Sequence, residues 1–146
     1  MFKNYDVLPL VECYPGQLNQ VFMNILINAI DSLESDIVDN YSHLSKFPTP
    51  QIHIQTKKIN KNRISINITD NGTGIEPKIF AKLFDPFFTT KDVGKGTGLG
   101  LSISYQIIVD EHGGNLSFQS TLGRGASFTI EIPITHSLSR LHSRSI

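Results

Sequence analysis

The sequence predicts an α+β fold of two layers, with helices on one face of a mixed, mostly antiparallel sheet. Two observations carry that prediction. Runs that alternate apolar and polar residues come in neighbouring pairs, as antiparallel strands do, and stretches with apolar residues near the 3.6 period lie between the pairs. The order is helix, two strands, short helix, glycine-rich loop, helix, two strands, an interleaving that suits a sheet covered by helices.

Each element has its own local reason. Leu8 to Cys13 is short, apolar and holds Pro9, so it reads as at most an edge strand or the end of one. Pro15-Gly16 then punctuates the chain, and apolar residues at Leu18, Val21, Phe22, Ile25, Ile30 and Leu33 predict a helix from about Gln17 to Glu34. Asp36 to Pro50 is polar and reads as a loop. Gln51 to Gln55 and Ile64 to Ile68 alternate and, with Lys57 to Asn62 between them, read as an antiparallel hairpin. Pro77 suits the first turn of a short helix through Leu83.

From Phe84 to Gly98 periodicity disappears and glycine, threonine and lysine dominate, which predicts a mobile segment. Leu99 to Glu111 is periodic again and predicts a helix ended by Gly113-Gly114. Asn115 to Ser120 and Ala126 to Ile134 read as two strands around a Gly123-Arg124-Gly125 turn. Residues 1–135 are thus expected to form one domain, followed at 136–146 by a serine- and arginine-rich tail expected to be disordered.

Composition narrows the function classes. A chain of 146 residues suits one domain with a real core. Lysine plus arginine equals aspartate plus glutamate at 13 each, so no basic excess argues for nucleic acid or an anionic membrane surface. The single cysteine, Cys13, has no internal partner and fits a reducing compartment or a small buried residue. No signal peptide is visible at the start. The longest apolar stretch, Val21 to Ile30, is interrupted by Asn24 and Asn28 and is too short for a bilayer. A cytoplasmic location is expected.

Four segments carry chemistry. In Asp70-Asn71-Gly72-Thr73-Gly74-Ile75 an aspartate ends a strand beside two glycines, so its carboxylate can be aimed into a pocket that backbone approaches closely. A buried carboxylate needs donors, and an adenine amino group is one. Asn-Gly is also a hairpin signal, but Glu76-Pro77 starts a helix there instead of a second strand. In Gly94-Lys95-Gly96-Thr97-Gly98-Leu99-Gly100-Leu101, alternating glycines expose amides that can surround phosphate oxygens at a helix start. The spacing matches neither the dinucleotide fingerprint nor the P-loop, since Leu99 and Leu101 stand where glycine is needed and Gly96 follows Lys95. A flexible linker is the bland reading, yet linkers rarely run straight into a periodic helix. Asn24 and Asn28 share a helix face; by themselves such amides often satisfy each other, whereas beside a triphosphate an amide oxygen can ligate Mg²⁺. Phe84-Asp85-Pro86-Phe87-Phe88-Thr89-Thr90-Lys91 mixes aromatic residues that can plug a core with groups able to reach phosphate.

In this order the four segments resemble the N box, first glycine box, F box and second glycine box of the histidine-kinase ATP-binding domain, and Gly123-Arg124-Gly125-Ala126-Ser127-Phe128 resembles its third glycine box. That domain belongs to the superfamily shared with gyrase, heat-shock chaperone and mismatch-repair ATPases. The resemblance spans roughly residues 8–134 and implies the Bergerat-type ATP sandwich. It implies ATP and Mg²⁺ as cofactors, with Asp70 accepting from the adenine amino group, Ser127 supporting it, and Gly72, Gly74 and Ile75 against the base. It implies Asn28 as the Mg²⁺ ligand with Asp31 beside the nucleotide. Lys91 and the amides around Gly96, Gly98 and Gly100 would hold the phosphates, with Phe84 to Thr97 as the lid, and Phe88, Thr89, Thr90, Thr97, Leu99 and Leu101 would complete the ATP-binding residues. Asn24 takes the catalytic position where gyrase-like members carry a water-activating glutamate; an amide cannot be that base, so the phosphoryl group would be kept for transfer.

Two departures stand out. None of His43, His53, His112, His136 and His142 lies in the family's phosphoacceptor motif, and His112 reads as structural, its charge suiting a helix end. The family's first edge strand also precedes the Leu8 region, where only Met1 to Tyr5 are present, so it reads as truncated. The resemblance implies a histidine-bearing dimerisation domain in trans or in a longer parent, a response regulator downstream, and a monomer for this chain alone. The alternatives are a nucleotide- or partner-binding remnant without phosphotransfer, and an anti-sigma-type serine kinase.

Overall fold

The computed structural model describes residues 1–39, 49–86 and 100–135. Along the chain run β1 (Phe2–Asn4), α1 (Pro15–Asp39), β2 (Ile52–Asn60), β3 (Arg63–Asp70), a 3₁₀ segment (Pro77–Lys82), α2 (Gly100–Tyr105), a π-helical segment (Gln106–Glu111), β4 (Asn115–Thr121) and β5 (Gly125–Pro133). The five strands form one sheet in the order β1-β2-β3-β5-β4, with β1 parallel to β2 and the other pairs antiparallel. Helices cover one side. The two-layer α+β prediction holds.

Strand parity separates the faces. On β3, Ile64, Ile66, Ile68 and Asp70 are buried, and on β5 so are Ala126, Phe128, Ile130 and Ile132. Between them stand Asn67, Thr69, Ser127 and Thr129, whose side chains bond one another on the other face. Opposite the buried row, α1 contributes Leu18, Val21, Ile25, Ala29 and Leu33, spaced three or four apart along one stripe. Ile30, which the period placed inward, is exposed; Ala29 takes its place against the sheet.

Several boundaries differ from the sequence reading. The first helix continues into the expected loop, as far as Asp39. The first hairpin is longer than its alternation indicated: Lys57, Lys58 and Asn60 pair with β3, and the turn is Lys61-Asn62. The missed residues are exposed, beyond the cover of the helices, so no apolar alternation marks them. Leu8 to Cys13 is not a strand; Pro9 has no N–H to give, and a backbone bond from Glu12 to Ile134 at 2.9 Å docks the segment instead. Cys13 is half-buried against the core. Met1 to Tyr5 does supply the edge of the sheet, as three paired residues. The short helix at Pro77 is 3₁₀, and the predicted Leu99–Glu111 helix changes from α to π geometry after Tyr105.

His112 sits at the end of that π segment, 1% exposed. Its Nε2 accepts the Tyr14 N–H at 3.1 Å, and its Nδ1 lies 2.8 Å from the Ile107 carbonyl, which requires the proton on Nδ1. The histidine is structural, as the sequence indicates, but it acts as a buried clamp between the start of α1 and the π segment, not as a charge at a helix end.

Candidate functional site

The site begins where the apolar row of β3 ends. Asp70 takes the position of a fourth inward residue after Ile64, Ile66 and Ile68, and it is 6% exposed. Its Oδ1 accepts the Gly72 N–H at 2.9 Å, closing the strand end into a tight turn. Burial pushes the Asp70 carboxyl above the usual carboxylate range, while the Gly72 and Ala126 amides and the Ser32 hydroxyl pull it back. No charged partner is among these influences.

The turn after Asp70 is held from two sides. On the helix side, Ser32 Oγ accepts the Thr73 N–H at 3.2 Å and lies 3.3 Å from the Thr73 hydroxyl. A β-carbon on Gly72 would stand 2.4 Å from Ser32 Oγ and 2.9 Å from the Ser32 carbonyl carbon, so only glycine lets the turn lie this close to α1. On the hairpin side, Ile75 donates its N–H to Ser120 Oγ at 2.7 Å and Gly123 donates to the Thr73 carbonyl at 2.7 Å. Gly74 has a φ of 75° and packs against the Thr121 carbonyl, where a β-carbon would stand at 2.5 Å. Gly74 is thus required by the β4–β5 turn within the protein itself.

The second cluster joins α1 to α2. Asn24 Nδ2 donates to the Gly100 carbonyl at 3.1 Å and to Ser104 Oγ at 3.2 Å, and Ser104 Oγ donates to the same carbonyl at 2.7 Å. Its amide nitrogen is therefore committed to fixing the first turn of α2. Asn28, one turn further along α1, and Asp31 are half-buried and engaged within the protein. Leu101 packs partly into the core. Phe84 does the same, 5.2 Å from the ring of Tyr105 and 5.8 Å from that of Phe118, so this phenylalanine of the F-box segment is core.

Of the residues the sequence singled out, Asp70, Gly72, Gly74 and Ile75 come together in one turn, and Asn24 meets Gly100. Ser127 does not join them as expected. It lies on the opposite face, with its hydroxyl 2.8 Å from Asn67 Nδ2 and 2.9 Å from Thr69 Oγ1. Strand alternation is the reason: Ala126 shares the inward parity of Phe128, and Ser127 the outward parity of Thr129. Phe88, Thr89, Thr90, Lys91, Gly96, Thr97, Gly98 and Leu99 lie outside the described residues, as do the expected Phe84–Thr97 lid beyond Pro86 and the 136–146 tail. Sequence reasoning missed Ser32. Its signal was available, because Ser32 continues the four-residue spacing from Asn24 and Asn28 along one face of α1.

Among the described residues, no group of three or more His, Cys, Asp or Glu could hold a metal ion by itself. None of the described helices is long and apolar enough to cross a membrane.

Comparison with known proteins places this geometry in a family. The model described as "Histidine kinase-, DNA gyrase B-, and HSP90-like ATPase" matches residues 13–136. Sporulation kinase E of Bacillus subtilis is 36% identical over 129 residues, covering 88% of this chain and 15% of the kinase. The sensor histidine kinase ZraS of Salmonella typhimurium is 34% identical over 133 residues, covering 91% of this chain and 25% of the kinase. The chain thus spans a quarter or less of these relatives. The solved catalytic domain of histidine kinase ThkA is 32% identical with a TM-score of 0.71, covering 92% of this chain and 79% of that domain. With a matched region that runs from the half-buried Cys13 past the last strand, this chain belongs to the histidine kinase-, gyrase B- and HSP90-like ATPases, as an ATP-binding catalytic domain of the histidine-kinase kind.

Proposed function

We propose that this domain binds ATP·Mg²⁺ and donates the γ-phosphoryl group to a histidine carried by another domain or chain. The observation that carries the nucleotide part is the coordination of Asp70. An ionised carboxylate offers about four acceptor positions. Among the described residues the hydrogen bond that Asp70 accepts is from the Gly72 N–H, at 2.9 Å. Acceptor positions are left for a donor from outside, and the exocyclic amino group of adenine fits one.

Mg²⁺ fits the residues present. The ion usually keeps several waters and takes nucleotide phosphates with one or two protein oxygens, so a cluster of acidic residues is not required. The Asn28 amide oxygen would hold it, on the same helix that fixes α2 through Asn24. When bound, the ion would neutralise phosphate charge. Asn24 donates to Gly100 and Ser104 and has no basic group to activate water, which supports transfer over hydrolysis. The names of the relatives, sporulation kinase and sensor histidine kinase, support a histidine as acceptor and a response regulator downstream.

The test has two stages. Calorimetric titration with a non-hydrolysable ATP analogue, with and without Mg²⁺, should show Mg²⁺-dependent binding that weakens on Asp70→Asn. Mixing the chain with a histidine-bearing helical domain and ATP should then yield acid-labile phosphate on that domain. Binding without transfer would leave a nucleotide-binding module, acid-stable phosphate on a partner serine would indicate a serine kinase, and absence of binding would overturn the proposal.

A further inference from the structure

We propose that Ser104 is a positioning residue for the phosphate end of the site: together with the Gly100 carbonyl it pins the nitrogen of the Asn24 amide to α2, so that Asn24 offers the nucleotide an oxygen and favours it with Mg²⁺ bound. The inference rests on the ATP·Mg²⁺ reading above and adds to it the residue that sets the dependence on the ion.

The orientation of the amide follows from its two neighbours. A backbone carbonyl can only accept, so the end of Asn24 that lies 3.1 Å from the Gly100 carbonyl is the nitrogen. Ser104 Oγ lies 2.7 Å from the same carbonyl and can approach it only as a donor. Its one proton is committed there, so toward Asn24, 3.2 Å away, it has only lone pairs to offer. Both neighbours demand a donor, and both hydrogens of the amide are used. Ser104 is 0% exposed, so solvent does not compete for its hydroxyl.

What remains is the oxygen. Asn24 Oδ1 has no hydrogen-bond partner among the described residues. It would stand 3.9 Å from a β-carbon on Gly100, beside the first residue of α2, and it belongs to the residue one turn of α1 before Asn28. Phosphate oxygens held at the start of α2 are acceptors as well, and two acceptors do not face each other without a cation or a donor between them. An amide that presents oxygen therefore suits phosphates that carry Mg²⁺ with its waters, and suits bare phosphates poorly. An amide turned the other way would do the reverse, giving its nitrogen to a bare phosphate oxygen. Such a charge-assisted bond is about twice as strong as a neutral one. Two neutral bonds to α2 match it, and one does not. Ser104 supplies the second.

The experiment titrates the full chain with the β,γ-imido analogue of ATP, in Mg²⁺ and in a chelator, and reads the ratio of the two affinities. The proteins are the parent, Ser104→Ala, Ser104→Cys, Asn24→Ala and the double variant Ser104→Ala/Asn24→Ala. In Ser104→Ala the ratio should fall by about fivefold, the scale of one neutral hydrogen bond, with metal-free binding as tight as in the parent or tighter. Cysteine keeps the volume but bonds weakly, so it should match alanine. Beside Asn24→Ala, removing the Ser104 hydroxyl should leave the ratio where it was. An unchanged ratio in Ser104→Ala, including a parallel loss of both affinities, would overturn the proposal and leave Ser104 as support for α2 alone. So would a parent ratio in Ser104→Cys, which would assign the effect to packing, or the full fall persisting without Asn24. A parent that binds equally well with and without Mg²⁺ would overturn it while leaving nucleotide binding intact. A parent that binds no analogue would instead sink the nucleotide reading on which it rests.

Discussion

Replacing Asn24 by aspartate tests whether its amide nitrogen is what fixes α2. The amide donates two bonds, to the Gly100 carbonyl at 3.1 Å and to Ser104 Oγ at 3.2 Å. Aspartate is nearly isosteric and similar in helix propensity, but it can donate neither bond. The new carboxylate would face the Gly100 carbonyl, a second acceptor, at contact distance. Ser104 could turn its single proton to the carboxylate, but only by giving up its own 2.7 Å bond to Gly100. Two partly buried hydrogen bonds are thus lost without replacement, at about 1 kcal/mol each, and the acceptor clash adds to them. A total of about 2 to 3 kcal/mol corresponds to a lowering of Tm by about 4 to 12 °C for a domain of this size. Alanine removes the same bonds but brings no clash and gains about 0.5 kcal/mol in helix propensity, so its net cost is nearer 1 to 1.5 kcal/mol. The predicted order of thermal stability is parent, then Asn24→Ala, then Asn24→Asp, measured by scanning calorimetry at neutral pH. An aspartate variant as stable as the parent would refute the reasoning, because it would mean the amide nitrogen makes no net contribution to holding α2.

Other predictions follow from the same geometry. Gly72→Ala should lower the urea midpoint by an amount equivalent to about 2 kcal/mol or more, since the new carbon meets both the side chain and the backbone of Ser32; full recovery on adding Ser32→Ala would show that the backbone contact at 2.9 Å is unimportant. Because burial raises the Asp70 pKa above the ordinary value of 3.8, the folded state holds that proton more tightly than the unfolded chain. Its contribution to stability is therefore complete below the unfolded pKa and is lost as pH rises through the folded one. Urea midpoints measured against pH should show this as a fall in the parent, absent from Asp70→Asn, as pH rises above the ordinary 3.8; parallel profiles would count against it. His112→Ala should cost about 3 kcal/mol, combining a buried cavity with the lost Tyr14 bond, and amide exchange at the start of α1 should accelerate with it; protection there equal to the parent would argue that the clamp is dispensable.

How legible this was in the sequence depended on whether neighbours along the chain carried the information. The Ile64, Ile66 and Ile68 alternation marks a strand because one face is covered, and Asp70 stands out as a carboxylate on that same parity. The same counting, applied to Phe128, Ile130 and Ile132, points Ser127 outward and Ala126 inward, so the misplacement of Ser127 was avoidable. Lys57 to Asn60 gave no pattern because neither face of the strand is covered there, and its pairing with β3 is a property of backbone alone. The bond between His112 and Tyr14 joins residues 98 positions apart and leaves no local trace.

The contacts that make the site also say something about how it is assembled in time. Ser32 meets Thr73 across 41 positions, Ile75 meets Ser120 across 45, and Asn24 meets Gly100 across 76. Loop closure over such separations is entropically costly and is offset only when most of the chain has condensed, which makes folding slow relative to helical domains of equal length. The turn after Asp70 is held in part by Ser120 on β4, so the site is complete for a nucleotide only once the last strands are in place. Its binding free energy then adds wholly to the native state, by RT ln(1 + [L]/Kd), and a cell rich in the nucleotide would lengthen the lifetime of the finished domain while leaving its intermediates to fold or be degraded unaided.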